Sequence, residues 1–107
     1  MYTNIQTEAI HLMNRILDYT DAVGVPRSKW VVGITDNDGP DGRVFGDHRV
    51  DPRMDKYIVL PVSDESASRL LESFLTDSEL GGFGGASGGD TNGSFIYAYL
   101  KRPGTRP

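Results

Sequence analysis

The sequence predicts an α+β fold: a small three-stranded, mainly antiparallel sheet packed by two helices. Three observations predict it. Two stretches carry apolar residues at helical spacing, three shorter stretches are rich in β-branched and aromatic residues, and breaks bearing Gly or Pro separate them. A chain of 107 residues has length for a single domain, 1–107, with one modest core, so these stripes must be buried against one another.

Ile5, Ala9, Leu12, Met13, Ile16 and Leu17 recur on one face and predict the first helix. Thr3 and Gln6 have capping-box spacing, and Gly24 and Pro26 stop the helix. His11 and Arg15 fall on its solvated face. Trp30-Val31-Val32-Gly33-Ile34-Thr35 predicts a strand, and the acidic turn DNDGPDG ends it. Residues 43–48 predict a short helical turn. Residues 56–62 predict a second strand, with Pro61 marking an edge or an end. Ser63 then serves as N-cap of a second helix, with Asp64 and Glu65 in its first turn and Ala67, Leu70, Leu71, Phe74 and Leu75 as its buried stripe. Residues 81–93, GGFGGASGGDTNG, hold too little apolar content to pack and predict a flexible loop. Residues 94–101 predict a third strand, with Phe95, Tyr97 and Tyr99 on one side and Ile96, Ala98 and Leu100 on the other. Residues 102–107 predict a frayed tail.

Composition narrows the function classes. A formal net charge of −4 argues against a protein that coats nucleic acid, although it leaves room for a local basic cleft. With no cysteine there is no disulfide, thiolate metal site or thiol nucleophile. No apolar run approaches the ~20 residues that span a bilayer, and the first residues lack a signal-peptide pattern. The expectation is a cytoplasmic protein with no membrane contact.

The stretch from Trp30 to Val50 carries the chemistry. A strand ending Gly33-Ile34-Thr35, a variable turn, Arg43 and His48, and then a helix bearing Glu72 resembles the GIY-YIG nuclease superfamily. Val31 to Thr35 align with the family's Tyr-Ile-Gly-x-Thr, Arg43 and His48 with its arginine and its histidine or tyrosine, and Glu72 with its metal-binding glutamate. The likeness covers roughly residues 30–75. It departs from the family at Val31, which stands in place of a tyrosine, and in the spacing from Arg43 to His48, which is one residue longer. A helix also precedes the motif where the family has a Gly-Ile-Tyr strand. Tyr97, or Tyr99, fills the vacant tyrosine's place if the third strand lies where the family's first strand lies. The resemblance implies metal-dependent phosphodiester cleavage, with Arg43 on phosphate oxygens, His48 orienting or deprotonating water, and Glu72 holding Mg²⁺.

Two other features invite ligands. Asp36, Asp38 and Asp41 fail as a calcium loop, because Pro40 occupies a ligand position and no glutamate closes the loop. Amides of the glycine run, Gly85 and Gly88 among them, together with Gly33 and Thr35, are candidates for contact with a phosphate group. The run follows a helix and enters a strand, which is the reverse of a P-loop. Three functions stay open at this point. They are a nuclease or a degenerate nucleic-acid-binding relative, a nucleotide-capturing protein using Arg43, His48 and the glycine run, and a small non-catalytic inhibitor of the phage anti-defence type acting on a protein partner.

Overall fold

Alternation places Trp30, Val32 and Ile34 on one side of the first strand and Val31, Gly33 and Thr35 on the other, and all six are buried. A strand buried on both faces must be covered twice, and that requirement organises the molecule. The computed structural model describes residues 4–35, 44–46, 48–51, 53–63, 65–85, 94–103 and 105. In chain order the elements are α1 (Asn4–Val23), a 3-10 turn (Arg27–Lys29), β1 (Trp30–Thr35), β2 (Tyr57–Pro61), α2 (Glu65–Thr76), β3 (Gly84–Gly85) and β4 (Phe95–Leu100). The sheet order is β2-β4-β1-β3. β4 runs antiparallel to both β1 and β2, while β3 runs parallel to β1.

The sheet is therefore four-stranded and mixed where three mainly antiparallel strands were expected, and its one parallel pairing among the described residues belongs to the extra strand. The extra strand is Gly84–Gly85, which pairs with Val31 and Val32. Two glycines give no β-branched or alternating signal, yet a ladder needs only backbone N–H and C=O groups. The same segment corrects the flexible-loop expectation for its first residues. Phe83 is buried in the helix-side core, and its amide donates to Leu75 O at 2.9 Å. Gly81 packs so closely on the end of α2 that a Cβ there would lie 2.2 Å from Leu75 O. A single aromatic anchor holds a stretch whose average composition reads as loop. Residues 86–93 lie outside the described residues.

Both helices cover one face of the sheet. Ala9, Leu12 and Ile16 of α1 and Ala67, Leu71 and Leu75 of α2 meet Trp30, Val32, Ile34, Leu60, Ile96 and Ala98. Gly24, at φ 82°, takes the left-handed turn that ends α1. The described part of α2 begins at Glu65, two residues after Ser63. The Ser63 hydroxyl and amide donate to the Glu8 carboxylate at 2.7 and 3.2 Å, joining α1 to the entry of α2. Thr3 and Asp64 lie outside the described residues.

Val31, Tyr97, Tyr99, Val44 and Val50 are buried on the opposite face, with Phe45, Tyr57 and Val59 packed around them. The chain between β1 and β2 supplies this cover. Residues 44–46 make a helical turn, and Val50 N donates back to Val44 O at 3.1 Å. The start of the predicted tail is also anchored: Arg102 pairs with Asp55, and Thr105 Oγ1 accepts from the Arg102 amide at 3.0 Å. Forty-seven residues separate that ion pair's partners, so no local pattern announces it.

Candidate functional site

β4 carries Tyr97 and Tyr99 on its second face, two residues apart, as alternation requires. Pairing sets them in two rows across the sheet. One row runs Tyr57, Tyr99, Val31, and the next runs Val59, Tyr97, Gly33. Gly33, the partner of Tyr97, contributes no side chain to this row. His48 enters above the two phenols. The next residue, Arg49, has a left-handed backbone at φ 58°. Both of its neighbours, His48 and Val50, are buried while Arg49 itself is exposed.

The three side chains form a hydrogen-bonded triad. His48 Nε2 lies 2.6 Å from Tyr97 Oη and His48 Nδ1 lies 3.0 Å from Tyr99 Oη. Tyr97 and Tyr99 are fully buried and His48 nearly so. The two phenol rings are close to parallel, with centroids 6.4 Å apart, and the imidazole tilts over both. Neutral imidazole has one N–H and one lone pair, so one tyrosine donates to His48 while the other accepts from it. Either phenol can play either part, and the triad can pass a proton from one end to the other through the imidazole. Thr35 lies on this face at the end of β1 beyond Gly33, and its buried hydroxyl has no hydrogen-bond partner among the described residues. A buried hydroxyl without a partner is uncommon in a folded chain and is one mark of a place that a ligand completes.

Of the sequence-derived candidates the structure thus brings together His48 and Tyr97, with Gly33 opposite Tyr97 and Thr35 two residues further along β1. Gly85 pairs with Val32, next to Gly33, but on the far side of β1 from Tyr97. Glu72 lies on α2, which packs on the helix-covered face, and no contact to His48 or Tyr97 is seen among the described residues. Its carboxyl is partly buried, and that burial raises its pKa above the ordinary value. Among the described residues no three His, Asp or Glu side chains come together as a metal site. Arg43, Gly88, Asp36, Asp38 and Asp41 lie outside the described residues. Tyr99 is the partner that the motif did not require. Its spacing from Tyr97 is the signal that finds it, since i and i+2 on a strand share a face.

A shallow apolar groove lies on the helical side, lined by Ile10, Met13, Phe74 and Leu80. No helix among the described residues is long and apolar enough to cross a membrane. No protein-family model matches the chain, and no curated protein or solved structure matches it.

Proposed function

We propose that this chain is a GIY-YIG-like domain whose second sheet face handles a phosphodiester, with cleavage as its activity. The observation that carries this reading is the Tyr97–His48 hydrogen bond opposite Gly33. β4 lies antiparallel on β1 and brings a tyrosine to the Gly-x-Thr strand that otherwise lacks one. In this reading the Val44 and Val50 cover over the phenols opens to admit substrate; the Tyr97 hydroxyl then takes the proton of an attacking water while its own passes to His48 Nε2, and Tyr99 steadies the imidazolium by accepting from Nδ1. Thr35 donates its hydroxyl to a phosphate oxygen, and Arg43 supplies the guanidinium for the charge that builds on the phosphorus oxygens. Glu72, which the resemblance assigns to Mg²⁺, lies on the helix-covered face of the sheet, so no step on the Tyr97 face is routed through a metal ion.

The test is turnover of bis(p-nitrophenyl) phosphate and of a supercoiled plasmid with Mg²⁺ or Mn²⁺. Tyr97→Phe and His48→Gln should each lose about 10²–10⁴-fold while remaining folded. No turnover of either substrate by the unaltered protein refutes cleavage. Retained phosphate binding in that case leaves the degenerate, binding-only form or nucleotide capture.

A second reading, a non-catalytic protein that blocks a protein partner, draws on a different observation. Leu80 is half exposed at the mouth of the apolar groove between α1 and α2. Substituting Leu80→Asp should abolish such an activity and leave diester turnover intact.

A further inference from the structure

The two helices run in the same direction. α1 leads into β1 and α2 leads into β3, and those two strands are parallel. Glu8, early in α1, meets Ser63 at the entry of α2. Arg27, just after α1, reaches the Leu80 carbonyl, just beyond α2, at 3.5 Å. Both C-terminal helix ends therefore lie on one side of the molecule, where the negative ends of two helix dipoles add. A cation in the last turn is the usual complement, and neither helix has one.

The apolar stripes of the helical groove run toward this end. On α1, Ile10, Met13 and Leu17 stand at i, i+3 and i+7, and Asp21 continues the stripe one turn on. On α2, Leu70 and Phe74 stand at i and i+4, and Asp77 follows three residues later. Both half-buried apolar stripes thus end on an aspartate. Ile10, Met13, Phe74 and Leu80 line a groove of about 260 Å³. Leu80 is 52% exposed, yet its place is fixed. The Asp77 carboxylate accepts from the Leu80 amide at 3.1 Å, the Gly81 and Gly82 amides donate to Asp77 O, and Gly81 lies too close to Leu75 O to carry a side chain. One exposed leucine is ordinary. A leucine held in a bonded turn beside an open apolar groove extends that groove into a patch, and such patches with a polar rim mark contact surfaces.

The rim is acidic and selects the occupant. Asp18, Asp21, Asp77 and Glu79 are all exposed. Arg27 pairs with Asp21, while Asp18, Asp77 and Glu79 form no ion pair among the described residues. A second copy in a twofold contact would set this acidic rim against itself. An anionic membrane surface is repelled for the same reason. A drug-sized ligand takes a pocket of roughly 300–1,000 Å³ that buries most of it, which this open groove does not offer. Side chains from one face of a helix need less room, and Met13 adapts its shape to them.

We propose that the α1–α2 groove is a docking site for a cationic amphipathic helix of a partner protein. Its apolar residues sit among Met13, Phe74 and Leu80, and its lysines or arginines lie against Asp77, Glu79 and the two helix C-termini. The proposal rests on the groove of the partner-blocking reading, to which it adds the partner's chemistry, and it is independent of cleavage on the other face of the sheet.

The experiment measures, by fluorescence anisotropy, the binding of three labelled peptides of about 14 residues, or four helical turns. One is a leucine–lysine amphipathic helix, one a leucine–glutamate helix of the same apolar pattern, and one a serine–lysine peptide with the same lysines. The leucine–lysine peptide should bind most tightly. Leu80→Ser should weaken it about 5-fold or more without moving the urea midpoint, because the side chain is half exposed. Asp18→Asn/Glu79→Gln should weaken it by a similar factor at low salt and reduce its salt dependence. Glu8→Gln/Glu65→Gln removes the same charge from the opposite ends of the helices and should bind as the unaltered protein does. Equal binding of either control peptide, equal loss in Glu8→Gln/Glu65→Gln, or an unchanged Kd in Leu80→Ser overturns the site. So does a dimer in sedimentation that Leu80→Ser dissolves, which reassigns the groove to a second copy. The two readings fail separately. Groove-dependent peptide binding with no blocking of any partner sinks the blocking role alone. A blocking activity lost in Leu80→Asp, with no leucine–lysine peptide bound by the unaltered protein, sinks the cationic helix alone.

Discussion

Both ring nitrogens of His48 end on phenol hydroxyls, and none of the three residues has appreciable contact with solvent. Removing one hydroxyl takes away one of the two hydrogen bonds that tie the buried imidazole to the phenols. Tyr97→Phe should therefore cost about 1–3 kcal/mol in a urea unfolding experiment, in addition to its effect on turnover. Thr35 predicts the opposite pairing of effects. Replacing its hydroxyl, which has no partner among the described residues, by a methyl in Thr35→Val should raise stability by up to ~1 kcal/mol and weaken phosphate binding. A Thr35→Val protein that is less stable than the original would show that the hydroxyl is already satisfied. Glu72 gives a pH signature. Its folded-state pKa is raised, so the folded chain binds the proton more tightly than the unfolded one. Stability is then lost as pH rises from the unfolded Glu pKa through the higher folded value. Glu72→Gln should be more stable than the original at neutral pH, and the difference should vanish below about pH 4. His48 was singled out by its place in the resemblance, and Tyr97, with Tyr99 as its alternative, only as a stand-in for a tyrosine missing from its expected place. The Asp55–Arg102 pair was not, because only the fold brings its partners together.

At the scale of elements, periodic stripes were the most legible feature. The Leu12 and Ile16 face of α1 and the Leu71 and Leu75 face of α2 are buried as the spacing predicts, because burial on one side leaves a 3.6-residue trace. Leu71→Ala should cost about 2–5 kcal/mol, read as a shift of the unfolding midpoint. β3 left no such trace, since its contribution is backbone alone. Its position nevertheless depends on the residues before it. Gly81→Ala would push a methyl group into the last turn of α2 and should destabilise by about 1–3 kcal/mol. Gly85→Ala, whose nearest neighbour is the Thr76 methyl at 3.8 Å, should be tolerated. Equal stability of the two variants would show that the 81–83 turn can move away from α2.

For the molecule as a whole, the alternation of the 94–101 stretch revealed a strand but not its neighbours. Strand order is set by which apolar faces can be covered together, and that information is spread over the entire chain. The element that holds the sheet together is β4, which bridges β1 and β2, neither of which pairs with the other. A chain stopped before Phe95 should lose cooperative unfolding altogether, although it keeps both helices' sequences. Trp30, fully buried under α1 beside Tyr19, reports this directly. Its fluorescence should be that of a solvent-exposed indole in the shortened chain and of a buried one in the full chain.

That central strand also sets a schedule for biosynthesis. Roughly sixty residues separate Thr35 from its partner Phe95. At about 5–20 residues per second, β1 waits some 3–12 s on the ribosome for the strand that closes its edge. During that interval a six-residue segment with apolar residues on both faces is exposed. Such a segment is a natural substrate for a nascent-chain chaperone, and yield in a cell should follow translation speed through residues 36–94 more closely than it follows the stability of the finished fold.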